Sequence, residues 1–324
     1  MSSPGPRKMH IVVIMDPPET VIVDEDTSFA LMLEAQEQGH RVDHCCAQDL
    51  FVAEGRLQAT VRPARMQRVA GEAIVLGEAE DIDLHEVDAV LVRTDPPFDS
   101  NYLWCTHMLD RLTSGEGKRT LVVNSPHGLR QANEKLYACY FPELMPRTLV
   151  TGHKQRIKDF VTQVGGRAVI KPLDGAGGEG VLTLVEGDLN LNSIIELQTR
   201  NGGRVAMVQE FLPEVSEGDK RILLLDGEPL GGILRVPRKG DVRSNIHVGG
   251  SVVKSEITDR DQEIIAGVAP RLKQDGLHFV GLDVIGGRLT EVNVTSPTGI
   301  QQMSRLNGEN LCARVIDWLA HKTA

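Results

Sequence analysis

Aromatic residues are scarce in this chain: seven Phe, three Tyr and two Trp among 324 residues, or 4%. So few rings leave little for stacking against bases. Basic residues are outnumbered as well, 35 Lys+Arg against 45 Asp+Glu, for a formal net charge of −10. That balance argues against nucleic acid or an anionic membrane as the main partner. The five cysteines (Cys45, Cys46, Cys105, Cys139, Cys312) are odd in number and form no C-x-x-C pair. A disulfide framework and a thiolate zinc site are thereby excluded, and a reducing cytoplasm is expected. No H-E-x-x-H pattern occurs among the histidines. No apolar run approaches the ~20 residues that span a bilayer. The run Ile11-Val12-Val13-Ile14-Met15 stops at Asp16, too short for the apolar part of a secretory signal. What remains is ordinary globular composition, long enough for two or three domains of about 100–200 residues.

Residues 1–8 are small, proline-containing and charged, and are expected to be a disordered tail. Residues 10–15 form a β-branched run typical of a buried parallel strand. Asp26-Thr27-Ser28 offers helix N-caps ahead of Phe29, Met32 and Leu33, and Gly39 stands where that helix would end. Buried strands are expected at 89–93 and 121–124, each followed by a helix, the second around 129–140. This alternation predicts an open parallel sheet over residues 9–125. From Thr148 onward strands come in pairs, 168–171 with 181–185, 222–225 with 230–234, and 282–285 with 289–294, with a further strand at 205–209. The turn dipeptides Asp226-Gly227 and Gly286-Gly287 separate two of the pairs, as in antiparallel hairpins. Helices are expected at 154–164 and 258–274, so the second half reads as α+β.

Gly175-Ala176-Gly177-Gly178-Glu179-Gly180 satisfies G-x-G-x-x-G. A dinucleotide site needs a helix after it, but Val181-Leu182-Thr183-Leu184-Val185 reads as strand. A Walker loop needs Gly-Lys-Ser/Thr, and Gly180-Val181-Leu182 lacks it. A strand–glycine loop–strand unit remains, whose backbone N–H groups can wrap an anion without Cβ obstruction. A plain surface turn is the alternative, and Lys171 decides against it. This lysine ends the apolar strand Val169-Ile170-Lys171-Pro172 beside the glycines, where its charge needs solvent or an anion. Lys135, in Asn133-Glu134-Lys135, is a second candidate cation.

The most informative stretch is Leu282-Asp283-Val284-Ile285-Gly286-Gly287-Arg288-Leu289-Thr290-Glu291-Val292-Asn293. Alternate strand residues share a face, about 6.6–7 Å apart, so Glu291 and Asn293 point the same way. A two-residue Gly286-Gly287 turn would set Asp283 opposite Thr290, on the wrong face. A three-residue loop pairs 285 with 289 and brings Asp283 opposite Glu291, and this is the arrangement expected. Three oxygen ligands without His or Cys select Mg²⁺, which commonly bridges to nucleotide phosphates. Asp283 lies in an otherwise apolar run, where an uncompensated carboxylate would be costly, and this favours a metal over a wet polar edge.

Between Leu234 and Thr258 the chain is cationic and glycine-rich, with Arg235, Arg238, Lys239, Arg243, Asn245 and His247, and suits a flexible cover over an anionic substrate. Arg221 starts a buried strand and can face the same cleft. Gln209-Glu210-Phe211-Leu212-Pro213 leaves a strand as extended chain and can offer backbone groups to an adenine edge.

In order along the chain, Asn133-Glu134-Lys135, Ile170-Lys171-Pro172-Leu173-Asp174-Gly175, Gln209 to Pro213, Gly218-Asp219-Lys220-Arg221, Gly281-Leu282-Asp283 and Thr290-Glu291-Val292-Asn293-Val294-Thr295-Ser296-Pro297 resemble the ATP-grasp superfamily. Within it, together with Met15-Asp16-Pro17, Ser28-Phe29-Ala30 and Arg93-Thr94-Asp95-Pro96-Pro97-Phe98-Asp99, they resemble the bacterial glutathione synthetase family, over residues 10–320. The resemblance implies a doubly wound parallel-sheet N-terminal domain (9–125) followed by an ATP-grasp fold, with a central subdomain (126–210) and a C-terminal subdomain (211–324). It implies that Lys135 and Lys171 hold the ATP phosphates, that Gly175, Gly177 and Gly178 cover them, that Gln209, Glu210 and Leu212 meet adenine and Asp219 the ribose. Asp283, Glu291 and Asn293 would bind Mg²⁺ or Mn²⁺. Arg221 and Arg235 would act at the reacting carboxylate and γ-phosphate. Asp16, Ser28, Arg93, Asp95, Arg243, Asn245, Ser296 and Thr298 would contact the substrates. Relative to the family pattern, the tail 1–8 is extra and the lid differs in detail.

The implied reaction joins γ-glutamylcysteine and glycine to glutathione through an acyl phosphate, releasing ADP and phosphate, in a cytoplasmic homotetramer. Competing readings are another ATP-grasp ligase, such as a D-alanine–D-alanine or glutamate-adding enzyme, a non-catalytic ATP-binding module, and an NAD-dependent dehydrogenase. The last is weakened by the strand that follows Gly180.

Overall fold

The structure, a computed structural model, describes residues 7–113, 120–237 and 251–324. Its first sheet contains β1 (His10–Ile14), β2 (Arg41–Cys45), β3 (Leu50–Ala53), β4 (Arg56–Met66), β5 (Ile74–Leu76), β6 (Glu80–Asp83), β7 (Ala89–Val92) and β8 (Leu121–Val123). The order β2-β1-β7-β8 is parallel throughout. The β-branched runs of β1 and β7 are covered on both faces, as such strands require. Helices α1 (Thr27–Glu37), α2 (Ser100–Thr113) and α3 (Pro126–Gln131) belong to this half. Asp26 is the N-cap of α1, accepting from Phe29 N at 2.7 Å.

Three expectations need correction here. The sheet is not parallel from end to end. Residues 50–83, which carry no strong apolar run, supply β3 to β6 as an antiparallel extension built on β4. The helix expected around 129–140 is broken after Gln131. Asn133 Oδ1 accepts from Lys135 N and Leu136 N at 3.3 and 3.0 Å, an Asx turn that competes with the helix, and only a 3₁₀ turn, Tyr137–Tyr140, follows. Within the stretch 1–8 expected to be a disordered tail, Arg7 pairs with Asp88 at 2.7 Å; residues 1–6 lie outside the described residues.

The second sheet, order β11-β10-β12-β9, is antiparallel and contains β9 (Thr148–Thr151), β10 (Arg167–Pro172), β11 (Leu182–Val185) and β12 (Ala206–Glu210). Helices α4 (Lys154–Gln163) and α5 (Leu191–Thr199) bury Ile157, Val161 and Ile195 with Ile170 and Leu184 of the sheet. The third sheet, order β15-β14-β13-β16-β17, is also antiparallel, with β13 (Asp219–Leu225), β14 (Glu228–Val236), β15 (Ser251–Lys254), β16 (Phe279–Ile285) and β17 (Arg288–Asn293). Helix α6 (Asp259–Gln274) opens on a capping box between Thr258 and Asp261, and α7 (Ile300–Asn307) and α8 (Leu311–Lys322) close the chain.

The first and third sheets are locked together by one buried amide. Asn124 Nδ2 donates to Phe279 O and Val294 O, and its Oδ1 accepts from His278 N and Phe279 N, all at 2.8 Å. Asn124→Leu keeps the volume and strips all four bonds. A loss of about 3 kcal/mol or more is expected, read as a lower midpoint in thermal unfolding, because buried backbone groups left unpaired cost about 1–3 kcal/mol each. An unchanged midpoint would show that water replaces the amide freely.

Candidate active site

The third sheet presents a row of charges on one face. Asp219 and Arg221 lie two apart on β13, so both point the same way. Register sets Asp219 opposite Arg235 on β14 and Arg221 opposite Asp283 on β16. Asp283 in turn faces Glu291 on β17, and Gly281 faces Asn293. The three oxygen-bearing side chains therefore share a face, but the route to that arrangement differs from the one expected. The turn has two residues, Gly286 and Gly287, and pairs Ile285 with Arg288, not with Leu289. A bulge between Asp283 and Val284 then leaves Thr290 as the extra residue of β17 and brings Glu291 opposite Asp283. Both glycines sit at positive φ, +54° and +70°, where a Cβ would come within 3.0 Å of Glu214 and 3.1 Å of Arg260.

Ion pairs knit the row. Arg221 grips Asp283 with a fork, Nε to Oδ1 at 2.5 Å and Nη2 to Oδ2 at 3.0 Å. Arg235 Nη2 spans Asp219 at 2.6 Å and Asp283 at 3.0 Å. Lys135 Nζ reaches Glu291 at 3.1 Å and donates to Gly175 O, while Asn293 Nδ2 donates to Asp283 Oδ2 at 3.2 Å. Burial alone would raise the Asp283 carboxyl, but Arg221 and Arg235 hold it well below the usual carboxylate range. Burial pulls the Lys171 ammonium below the usual lysine range, opposed by the charge of Glu291.

This row floors a cavity of about 600 Å³. The second sheet and its glycine loop form the opposite wall. Lys171 stands near the end of β10, and Gly177, Gly178 and Gly180 adopt positive φ in the loop that follows. Gly175 is hemmed in, its Cβ position lying 2.8 Å from Pro172. Gln209 Nε2 donates to Thr148 Oγ1 at 3.0 Å, Glu210 Oε1 accepts from Arg147 N at 2.9 Å, and Leu212 follows as the chain leaves β12. All three line the cavity.

The third wall comes from the carboxyl ends of the parallel strands, the usual ligand side of such a sheet. Arg93 follows β7, donating from Nε to Ser28 Oγ and from Nη2 to Pro297 O, both at 3.0 Å. Ser28, Arg93, Asp95, Ser296 and Thr298 line the cavity. Asp16 is not among the lining residues and accepts from Asp95 N, which is, at 2.9 Å. Arg243 and Asn245 lie outside the described residues.

Sequence reading missed three residues here. Glu134 Oε1 accepts from Val294 N, Thr295 N and Thr295 Oγ1 at 2.9, 3.1 and 2.8 Å, which pins the end of β17 beside Lys135. Its position next to Lys135 was the available signal. Asp26 was read only as a helix cap, and Gln302 carried no signal at all; both line the cavity.

The donor set fits a hard divalent cation. Asp283 and Glu291 are opposed across two strands with Asn293 beside them, and among the described residues no cluster of three His, Cys, Asp or Glu exists. Two carboxylates and an amide leave coordination for phosphate oxygens, the mode preferred by Mg²⁺.

Two antiparallel sheets walling a cleft, one with Lys171 and a glycine loop, the other with an arginine–carboxylate row that Lys135 joins at Glu291, define an ATP-grasp ligase. Family models describe the same chain in two parts, the prokaryotic glutathione synthetase N-terminal domain over residues 9–130 and the ATP-grasp domain over 134–308. The chain belongs to the prokaryotic glutathione synthetase family. It is 50% identical to the glutathione synthetase of Gloeobacter violaceus over 322 residues, covering 97% of this chain and 98% of the relative. Identity to that of Thermosynechococcus vestitus is 48%, covering 96% and 99%. Among solved structures, D-cycloserine synthetase matches with TM-score 0.65 and 15% identity over 97% of this chain and 100% of that one. An ATP-grasp ligase complexed with a precursor peptide and AMPPNP matches with TM-score 0.62 and 18% identity, covering 97% and 98%. These two likenesses concern the fold alone.

Proposed function

We propose that this cleft phosphorylates the cysteinyl carboxylate of γ-glutamylcysteine with the γ-phosphate of ATP and then passes the acyl group to glycine. The chain is an ATP-dependent ligase that forms glutathione, and the proposal concerns how its residues do so. The observation that carries it is the row Arg235–Asp219–Arg221–Asp283–Glu291, with Lys135 paired to Glu291, lining one cavity together with Lys171.

A carboxylate is a poor electrophile, so its oxygen first attacks the γ-phosphorus and ADP leaves. Catalysis of that step is mainly positioning and charge neutralisation. Lys135 and Lys171 hold phosphate oxygens under the glycine loop, and Arg235 faces the transferred group. Asp283, Glu291 and Asn293 would hold Mg²⁺ or Mn²⁺, which supplies further neutralisation at the phosphates. The amine of glycine then attacks the acyl carbon, Arg221 stabilises the oxyanion, and the C–O bond to phosphate breaks. Adenine sits along Gln209, Glu210 and Leu212, with the ribose at Asp219. Water must be kept out, because an acyl phosphate hydrolyses readily. The same reading gives three lobes, 9–125, 126–210 and 211–324, and a homotetramer in the cytoplasm; five free cysteines support the reducing compartment.

Phosphate release is expected only when ATP, γ-glutamylcysteine and glycine are all present. Robust turnover with D-alanine alone would contradict the assignment. Lys171→Ala is expected to lower turnover more than tenfold, measured as phosphate release at saturating ATP. A rate near wild type would make this lysine structural.

A further inference from the structure

A hydrogen-bond chain behind the wall of the second sheet fixes a direction that residue type alone leaves open. Gln209 lies on β12 directly between Val169 of β10 and Thr148 of β9, so these three side chains share a face of the sheet. Lys171, two residues beyond Val169, is on that face too, about 6.6–7 Å along the strand. Gln209 is only 3% exposed and lines the cavity together with Val169. A glutamine amide carries a donor and an acceptor of nearly equal size, and either can be turned toward a ligand.

Thr148 makes that choice. Its hydroxyl has one hydrogen, which donates to Pro146 O at 2.8 Å. The same oxygen can then only accept from the amide, and it accepts from Gln209 Nε2 at 3.0 Å. The donors therefore run one way, from amide N–H to hydroxyl oxygen and from hydroxyl O–H to backbone carbonyl. Gln209 Oε1 is left facing away from Thr148, and among the described residues no hydrogen bond reaches it. Turning the amide over would make Thr148 donate to Oε1 and would break the bond to Pro146 O.

We propose that Thr148 is a positioning residue for the choice of base: by holding the Gln209 carbonyl toward the cavity, it makes the site take a 6-aminopurine nucleotide and reject a 6-oxopurine one. An exocyclic amine donates to Oε1 as the amide stands. A 6-oxo group would meet that oxygen as acceptor against acceptor. Only the inverted amide could receive it, at the loss of the bond from Thr148 to Pro146. Val169, Leu212 and Ile285 bring apolar side chains to the same cavity, as a flat base requires. The inference rests on the proposed placement of adenine along Gln209, Glu210 and Leu212, and adds what fixes the direction of the amide.

The test compares phosphate release with ATP and with ITP, which carries a 6-oxo group in place of the 6-amino group, at saturating γ-glutamylcysteine and glycine. The wild-type enzyme is expected to favour ATP about ten- to hundredfold in kcat/KM, the range of two hydrogen bonds. Thr148→Val keeps the side-chain shape but can neither donate nor accept. It should narrow that ratio about three- to tenfold, the share of the one bond that opposes inversion, with KM for γ-glutamylcysteine and glycine within about twofold of wild type. Thr148→Ser keeps the hydroxyl and should restore the ratio, whereas a purely structural role would lower both nucleotides alike. An unchanged ratio in Thr148→Val, or equal losses with ATP and ITP, would overturn the assignment. If a variant is inactive, calorimetry with ADP and IDP reads the same ratio as binding. Gln209→Leu separates the two levels. Wild-type kcat/KM with both nucleotides in Gln209→Leu would overturn the placement of the base itself. A ratio that collapses in Gln209→Leu but not in Thr148→Val would overturn only the role of Thr148.

Discussion

Arg221→Ala is expected to lower turnover by about 10²–10³-fold with little change in KM for ATP, the loss that follows removal of one oxyanion donor. Arg221 is buried in the sheet, forked onto Asp283, and has a third bond to Thr298 O, so its position is fixed before substrate arrives. Such a group acts on charge that appears only in the tetrahedral state, which places its effect in kcat. Gly281 explains how the guanidinium lies so close to the strand, since a Cβ there would approach Arg221 Cδ to 3.2 Å. A kcat within threefold of wild type would remove Arg221 from the reacting end and leave it as a partner of Asp283 only.

Glu291→Ala is expected to reduce phosphate release by about 10²-fold and to raise the Mg²⁺ concentration needed for half-maximal rate. Glu291 is the more open of the two opposed carboxylates. Its side chain is 22% exposed against 7% for Asp283, and it pairs with Lys135 at 3.1 Å. A divalent ion can displace that lysine toward the phosphates more readily than it can break the Arg221 fork on Asp283. Unchanged phosphate release, with an unchanged Mg²⁺ requirement, would show that no metal is held there.

How much of this site was legible in the sequence follows from which interactions are local. Glu291 and Asn293 had to share a face because strand side chains alternate. Lys171 at the end of an apolar strand had to meet an anion or solvent, and it faces the cavity. The glycine loop was correctly separated from dinucleotide and Walker loops by the β11 residues that follow it. The register of the last hairpin was not legible. A two-residue turn with a bulge and a three-residue loop both put Asp283 opposite Glu291, so the alternation of side chains does not distinguish them. The strands β3, β5 and β6 were missed because they are short and largely exposed, whereas β4 did carry a signal, the alternation of buried Leu57, Ala59 and Val61 with Gln58, Thr60 and Arg62, that went unread. Pairing of Asp283 with two arginines was invisible for another reason. Arg221 and Arg235 lie 62 and 48 residues from Asp283 along the chain, and the pairing of β13 with β16 that brings them to it arises only in the folded sheet. Gln302 sits in a short helix with no motif around it, and only its unpaired buried oxygen distinguishes it.

The central claim is that the γ-phosphate of ATP passes to the cysteinyl carboxylate before glycine attacks, and oxygen transfer tests it most directly. With ¹⁸O in the cysteinyl carboxylate of γ-glutamylcysteine, the oxygen that bonds to phosphorus must leave with the phosphate when the amide forms. Mass spectrometry of the released phosphate should find one ¹⁸O per molecule from fully labelled dipeptide. Phosphate free of label, alongside labelled glutathione, would mean that the carboxylate never carried the phosphoryl group, and the mechanism built on this cleft would be wrong.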